Sequence, residues 1–119
     1  MSYSEKIQEV IAGADVALFM KGTPAFVMCG NSDRALQALR RAGASVTAVD
    51  VLPDPAIRQE LTAISGWPTI PQVFVKGELV GGADIVEELE ASGDLEATLR
   101  KKLGDDYAAA RDERTVALV

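Results

Sequence analysis

The sequence predicts an α/β fold in which helices flank a four-stranded mixed sheet. Short apolar runs of strand length alternate with segments of helical periodicity, which indicates a βαβ unit with two parallel strands. The turn signal Lys76-Gly77 then separates two further strand candidates and indicates an antiparallel hairpin. A chain of 119 residues suits one domain of this kind.

The elements are predicted in the order αβαβαββαα. Residues 16–20 are apolar throughout, so we expect a strand that is buried on both faces of the sheet. Helix starts are marked by the capping box Ser2-x-x-Glu5 and by Asp54-Pro55. The predicted helices are residues 4–12, 30–42 and 54–66, one that begins at 81–82 and one that begins at 93–94; the predicted strands are 16–20, 45–50, 72–75 and 78–80.

Residues 1–103 are predicted to form this domain, and residues 104–119 a C-terminal tail. The tail begins with Gly104-Asp105-Asp106, which breaks the preceding pattern, and continues as an Ala-rich segment of mixed charge. Two interpretations of the tail stay open, a helical extension and a disordered segment.

Composition excludes several classes of chemistry. The absence of histidine excludes Ser–His and Cys–His nucleophile pairs and histidine metal sites. One cysteine cannot form an internal disulfide or fill a soft metal site, so an iron–sulfur centre would need ligands from another chain or a small thiol. A net charge of −6 argues against nucleic acid or an anionic membrane as the partner. No apolar stretch of membrane length and no signal-peptide pattern is visible, so we expect a cytoplasmic location.

Cys29 is the candidate functional centre. It is predicted to start the helix that follows the first buried strand, and ligands of α/β sheets bind beyond the carboxyl ends of parallel strands. At a helix start, free N–H groups and the macrodipole stabilise a thiolate, and Lys21 would add a positive charge. A lone cysteine is more often a buried, inert residue. The helix-start position, the polar Gly30-Asn31-Ser32 and the upstream lysine favour the functional interpretation.

The segment Trp67-Pro68-Thr69-Ile70-Pro71 precedes the first hairpin strand. Pro71 is a candidate cis proline, and a cis bond there would turn the N–H and C=O of Ile70 outward. These groups would pair with an extended, peptide-like ligand as an added strand does. A simple rigid turn is the alternative.

The segment Gly81-Gly82-Ala83-Asp84 closes the hairpin and opens a helix. Two glycines would let a ligand approach the backbone, the helix start would suit a carboxylate, and Asp84 would hold an ammonium group. An ordinary capping box, Asp84-x-x-Glu87, is the alternative interpretation.

Together these segments resemble the monothiol glutaredoxins. The motifs that carry the resemblance are Lys21-Gly22-Thr23-Pro24, Met28-Cys29-Gly30-Asn31-Ser32, Trp67-Pro68-Thr69-Ile70-Pro71-Gln72-Val73-Phe74 and Gly81-Gly82-Ala83-Asp84-Ile85. They occur in order with sensible spacings, and the resemblance covers residues 5–103. It implies a thioredoxin-like fold with Pro71 in cis.

The resemblance also implies a glutathione site with Cys29 as its reactive thiol. Arg58 alone would be interpreted as a solvent-facing charge of the third helix, and its role here comes from the resemblance. The implied contacts are Lys21 and Arg58 with the glycine carboxylate, Thr69 and Ile70 with the tripeptide backbone, and Gly82, Ala83 and Asp84 with the γ-glutamyl end.

A shared metal cluster is the further implication of the resemblance. Two chains would bridge one [2Fe–2S] cluster through two Cys29 thiolates and two glutathione thiolates, which meets the shortage of ligands within one chain. The protein would be a homodimer with the cluster and a monomer without it. BolA-like proteins and iron–sulfur acceptor apoproteins are the implied partners.

Three positions depart from the family pattern. Asn31 stands where the signature Cys-Gly-Phe-Ser has phenylalanine. The loss of this aromatic side chain is expected to expose the cluster or to alter the dimer contact. Val27 stands where proline is common, and Ala83 where many members have a second cysteine.

Three functions stay open. In the first, the chain stores and transfers an iron–sulfur cluster with Cys29 as its ligand. In the second, Cys29 acts as a glutathione-dependent thiol–disulfide oxidoreductase: it attacks a glutathionylated protein, and a second glutathione releases it. In the third, the chain is a redox-sensing adaptor that signals by reversible glutathionylation.

Overall fold

The computed structural model describes all 119 residues and confirms a mixed sheet flanked by helices. The helices are α1 (Tyr3–Gly13), α2 (Gly30–Arg41), α3 (Pro55–Ser65), α4 (Ala83–Ser92) and α5 (Asp94–Leu103). The strands are β1 (Val16–Met20), β2 (Gly22–Thr23), β3 (Phe26–Val27), β4 (Val46–Asp50), β5 (Gln72–Val75), β6 (Glu78–Gly81) and β7 (Glu113–Thr115).

The predicted caps of α1 and α3 are present. The Ser2 hydroxyl accepts a hydrogen bond from the N–H of Glu5 at 3.2 Å, and the Glu5 carboxylate accepts the N–H of Ser2. The Asp54 carboxylate accepts the N–H of Ala56 at 2.9 Å, with Pro55 as the first helical residue. Each cap satisfies N–H groups that have no partner within the helix.

The main sheet has the strand order β6-β5-β1-β4-β7, with β1 and β4 parallel and the hairpin β5–β6 antiparallel. Strand β1 is buried on both faces, as its apolar sequence predicts. Leu18 and Met20 pack in the core that α2, α4 and α5 cover, whereas Ala17 and Phe19 pack in the core beneath α1 and α3. The parallel pair therefore ends, at its carboxyl edge, beside the start of α2.

The sheet has five strands rather than the predicted four, because the tail adds β7 in parallel to the outer edge of β4. The tail is therefore neither a helical extension nor disordered. The guanidinium of Arg40 donates to both carboxylate oxygens of Glu113, at 3.0 and 2.7 Å, and Leu118 is buried in the core beneath α1 and α3. The added strand satisfies backbone groups that an open edge of β4 would leave exposed.

The connection from β1 to α2, predicted as a loop, contains a small hairpin made by β2 and β3. Its entry is fixed by Asp50 at the end of β4, whose carboxylate accepts the N–H of Gly22 at 2.9 Å. None of the five helices combines the length and the apolar character needed to cross a membrane.

Candidate functional site

Cys29 lies at the N-cap of α2, where the sequence predicts it. Its backbone is extended, its side chain makes no capping hydrogen bond, and the thiol is partly exposed. A thiol in this position faces the free N–H groups of the first helical turn.

The pKa of the Cys29 thiol is lowered from its ordinary value, chiefly because the nearby backbone N–H of Ser32 stabilises a negative charge on the sulfur. The N–H of Asn31, the hydroxyl of Ser32 and the positive charge of Lys21 lower it further, whereas partial burial opposes them. Hydrogen bonds and nearby positive charge stabilise the thiolate relative to the thiol. The site therefore stabilises the thiolate form of Cys29 relative to an unperturbed cysteine.

Ser32 ties the thiol to the loop before it. The residue is fully buried, and its hydroxyl accepts the N–H of Lys21 at 3.0 Å. The carbonyl of Lys21 in turn accepts the N–H of Met28 at 3.0 Å. The first bond holds Lys21 against the start of α2, and the second joins the two ends of the β2–β3 hairpin, so Cys29 is fixed relative to Lys21.

A cavity of about 310 Å³ lies beside the start of α2, and we call it the cis-proline cleft because Pro71 lines it and the Ile70–Pro71 peptide bond is cis. It is lined by Asn31, Arg34, Trp67, Thr69, Ile70, Pro71, Gly82, Ala83, Asp84 and Ile85. The structure therefore brings together five residues of the expected glutathione site, namely Thr69, Ile70, Gly82, Ala83 and Asp84.

The backbone around Pro71 is held open toward this cleft. No backbone hydrogen bond within the chain engages the N–H or the carbonyl of Ile70. The buried amide of Gln72 donates to the carbonyls of Trp67 and Thr69, at 3.0 and 3.2 Å, and so fixes the loop from behind. Ile70 can therefore pair with an extended ligand without breaking a hydrogen bond of the protein.

Gly82 forms the opposite wall and is the N-cap of α4. A Cβ atom there would lie 3.3 Å from the carbonyl oxygen of Pro71 and 3.3 Å from Nε1 of Trp67. The absence of a side chain at Gly82 therefore keeps this wall of the cleft thin. The free N–H groups at the start of α4 are suited to bind an anionic group of a ligand.

Lys21 and Arg58, which the resemblance assigns to the glycine carboxylate, do not line the cis-proline cleft. Lys21 is half-buried and close enough to Cys29 to lower the pKa of the thiol. Arg58 is exposed on α3. The two cations lie outside the cleft proper, on the side of the hairpin and α3.

Arg34 is a residue of the cleft that the sequence interpretation missed. One Nη atom donates to the carboxylates of Asp84 and Glu87 at 2.7 and 2.6 Å, and the other donates to the side-chain oxygen of Asn31 at 3.0 Å. The capping box Asp84-x-x-Glu87 does not form, because α4 begins at Ala83 with Gly82 as its N-cap, which places Asp84 inside the first turn. Both carboxylates bind the Arg34 guanidinium. The Asn31–Arg34 spacing of three residues on one helix was the available signal.

Two exposed apolar side chains precede Cys29, and the chain carries no metal site of its own. Phe26 and Met28 in the adjoining loop are 72% and 57% exposed. No group of three or more histidine, cysteine or acidic side chains is placed to hold a metal ion. A metal centre at Cys29 therefore needs ligands from outside this chain.

Comparison with known proteins identifies the family. The glutaredoxin family model matches residues 16–80, more than half of the chain. A probable monothiol glutaredoxin of Legionella pneumophila, GrlA, is 51% identical over 83 residues, which cover 70% of this chain and 93% of that protein. Monothiol glutaredoxin-S11 of rice is 49% identical over 98 residues, 82% of this chain but 20% of that protein. The chain thus spans about a fifth of the rice protein's length.

Solved structures show the same fold. A monomeric truncated mutant of Trypanosoma brucei 1-C-Grx1 is 42% identical with a TM-score of 0.77, covering 86% of this chain and 93% of that one. A buckwheat glutaredoxin solved in complex with glutathione is 25% identical with a TM-score of 0.72, covering 83% and 88%. These likenesses confirm the predicted thioredoxin-like fold, and the chain belongs to the glutaredoxin family, within its monothiol group.

Proposed function

We propose that the chain binds glutathione in the cis-proline cleft and, with Cys29, holds a [2Fe–2S] cluster that it stores and transfers. The observation that carries the proposal is the placement of the Cys29 thiol at the N-cap of α2, next to a cleft with unpaired backbone groups. The lowered pKa of this thiol supports it. The buckwheat relative solved with glutathione supports the ligand.

The cleft suits an extended tripeptide. The free N–H and carbonyl of Ile70 offer the strand-like pairing that peptide backbones use. The start of α4 at Gly82, with Ala83 and Asp84, would receive the γ-glutamyl end, and Thr69 would contact the tripeptide backbone. The glycine carboxylate would extend toward Lys21 and Arg58, the cations outside the cleft.

A cluster at Cys29 would be bound jointly by two protein chains and would be transferred to other proteins. A [2Fe–2S] cluster takes four thiolate ligands, and this chain offers one. Two copies and two glutathione molecules supply four, so the cluster-bound protein would be a homodimer and the apo protein a monomer. The exposed Phe26 and Met28 beside Cys29 would become covered in that dimer. Acceptor apoproteins and a BolA-like protein are the partners that we propose for the transfer.

Anaerobic reconstitution with iron, sulfide and glutathione tests the proposal. We expect cluster absorption in the visible spectrum to elute with a dimer, and to be lost in Cys29→Ser and in wild type reconstituted without glutathione. A cluster that forms equally well in Cys29→Ser, or in the absence of any small thiol, would overturn it.

Thiol–disulfide exchange is the second candidate, favoured by the side chain of Asn31. Asparagine replaces the family phenylalanine here, so no aromatic side chain at this position covers the partly exposed thiol. The side-chain oxygen of Asn31 accepts a hydrogen bond from Arg34. The Cys29 thiolate would attack the glutathione sulfur of a glutathionylated protein and release the protein thiolate. A second glutathione thiolate would attack the same sulfur of the adduct, which yields glutathione disulfide and restores the Cys29 thiolate.

Turnover of a glutathione mixed disulfide distinguishes this activity from the carrier role. We expect a rate that depends on both glutathione and Cys29. A rate that Cys29→Ser does not change would reject exchange while leaving the cluster result standing.

A further inference from the structure

Arg34 forms the charged rim of the cis-proline cleft, between α2 and α4. Its side chain is 40% exposed, and those of Asp84 and Glu87 are 85% and 36% exposed. The three groups lie within direct ion-pair distance, at 2.7 and 2.6 Å. One guanidinium against two carboxylates leaves one net negative charge at this wall.

Both the guanidinium and one carboxylate of this network keep atoms that are free to hydrogen-bond a ligand. Arg34 uses three N–H groups on Asn31, Asp84 and Glu87, so its Nε–H and one Nη–H lack a partner. Asp84 accepts Arg34 through Oδ1 and leaves Oδ2 free. The wall can therefore receive a positive and a negative group side by side, while Arg34 keeps the pKa of Glu87 below its usual value.

We propose that Arg34 is a specificity-determining residue that receives the α-carboxylate of the ligand's γ-glutamyl end, while Asp84 receives the neighbouring ammonium. The proposal rests on the glutathione binding proposed above. Without Arg34, two carboxylates would face the incoming carboxylate, and repulsion would replace a charge-assisted hydrogen bond. Recognition of both charges selects an intact amino-acid end over thiols that lack either group.

Asn31 has a part in this selection. Its side-chain oxygen binds the guanidinium of Arg34 one helical turn away, which holds Arg34 over the cleft between its two carboxylate partners. The asparagine at the position of the family phenylalanine is thereby a positioning residue for Arg34.

Competition between thiols on Cys29 tests the proposal. Protein carrying the Cys29–glutathione mixed disulfide is equilibrated with glutaryl-cysteinyl-glycine, which lacks the α-amino group, or with γ-aminobutyryl-cysteinyl-glycine, which lacks the α-carboxylate. Each analogue replaces glutathione by thiol–disulfide exchange and releases it as a thiol, with no net oxidation. Intact mass spectrometry gives the ratio of the two adducts, and the shared cysteinyl-glycine cancels the intrinsic thiol chemistry.

We expect wild type to prefer glutathione over each analogue by roughly 3- to 10-fold, the range of a partly exposed charge-assisted hydrogen bond. Arg34→Gln should lose the preference over the carboxylate-free analogue and keep the preference over the amine-free one. The matched control is Arg41→Gln, because Arg41 also joins α2 to α4 through Glu90 but does not line the cleft. This control should keep both preferences.

An Arg34→Gln protein that discriminates against the carboxylate-free analogue as wild type does would overturn the role of Arg34. A second measurement needs no variant: the wild-type preference for the carboxylate should shrink as salt rises to about 0.5 M, because the charges are partly exposed. A salt-independent preference would contradict the proposal. Failure of wild type to form any glutathione adduct would instead reject the proposed function itself.

Discussion

Two clefts of similar size lie at opposite ends of the sheet and differ in chemistry. The cis-proline cleft, of about 310 Å³, opens at the carboxyl end of β1. The second, of about 330 Å³, opens at the amino ends of β1, β4 and β7, and we call it the tail cleft. It is lined by Gly13, Ala14, Asp15, Ser45, Val46, Thr47, Ala110, Asp112 and Arg114.

The two clefts have similar volumes but differ in the chemical groups that line and adjoin them. The tail cleft has charged residues, but Arg114 and Asp112 pair with each other at 2.7 Å, and the single cysteine of the chain does not line it. The cis-proline cleft adjoins a helix start that carries a thiol of lowered pKa, and it has backbone groups without partners. In this fold the carboxyl ends of the parallel strands carry the reactive chemistry, and the amino ends carry the packing of the tail.

The largest expected difference between the two ends comes from left-handed glycines. Gly22→Ala at the thiol end places a Cβ against the carbonyl of Phe26 and 2.7 Å from the N of Met28, at a φ of +93°. We expect a loss of about 2–3 kcal/mol in unfolding free energy and a displaced Cys29 loop, measured by urea denaturation and by thiol reactivity.

Gly43→Ala is the matched change at the tail end. Its φ is +79°, and the added Cβ meets the side chain of Ala108 rather than backbone. It should cost less stability and leave Cys29 reactivity unchanged. Equal losses of thiol reactivity in both variants would show that the reactivity of Cys29 depends on overall stability and not on its own loop.

Ser32→Ala tests the stabilisation of the thiolate. The lowered pKa means that the thiolate is present above it and is lost as pH falls through it. Removal of the hydroxyl should raise the pKa, so the pH profile of alkylation by iodoacetamide moves to higher pH and the rate at neutral pH falls. The N–H groups of Asn31 and Ser32 remain, so the shift should be partial.

Ser45→Ala provides the control for this change. Its hydroxyl accepts the N–H of Asp112 at 2.9 Å in the tail cleft, as that of Ser32 accepts the N–H of Lys21. Because this bond is exposed to solvent, we expect a smaller loss of stability, at most about 1 kcal/mol, with no change in the pH profile of Cys29. An equal movement of the profile in Ser45→Ala would show that it reports stability rather than the thiolate.

Gly82→Ala tests the thin wall of the cis-proline cleft. The methyl group would press on the carbonyl of Pro71 and the indole of Trp67, each 3.3 Å away, and narrow the cleft. We expect glutathione affinity to fall by roughly 3- to 10-fold in a calorimetric titration, an effect of about 1 kcal/mol. Gly13→Ala in the tail cleft, where a Cβ meets nothing within 4 Å, should leave affinity unchanged. If both variants bound as wild type does, the proposed ligand position would be wrong.

Glu113→Gln tests how much the ion pair between Arg40 and Glu113 in the tail stabilises the fold. Its expected effect on the free energy of unfolding is the smallest of these variants. Arg40 lowers the pKa of Glu113 in the folded protein, so the pair stabilises the fold above the unfolded pKa and ceases to do so as pH falls through the lowered value. With side chains 31% and 25% exposed, we expect a loss of about 0.5–1 kcal/mol at neutral pH. The difference from wild type should vanish in acid, as measured by denaturant unfolding at several pH values. A deficit that persists in acid would point to packing rather than charge.

The parts of the fold that the sequence predicts correctly are those with local signals. Continuous apolarity identified β1, and capping residues identified the starts of α1 and α3. Strand β7 escaped prediction because Glu-Arg-Thr has no apolar run, and pairing with β4 and the Arg40–Glu113 contact hold it in place. Such long-range contacts leave no periodicity in the sequence.

The candidate site divides in the same way. Cys29 at a helix start and the residues around Pro71 and Gly82 follow from local motifs. Arg34 was missed because its partners lie on α4, about fifty positions along the chain. The three-residue spacing within α2 indicates the bond between Arg34 and Asn31, but it does not indicate that Arg34 lines the cis-proline cleft.

Glutathione binding in the cis-proline cleft is tested most directly by a nuclear magnetic resonance titration of isotope-labelled, reduced protein with reduced glutathione. We predict saturable shifts at the amides of Thr69, Ile70, Gly82, Ala83 and Asp84, with those of Asp15, Thr47 and Arg114 in the tail cleft unchanged. No saturable shift at the cis-proline cleft, or larger shifts at the tail cleft, would contradict glutathione binding at this site.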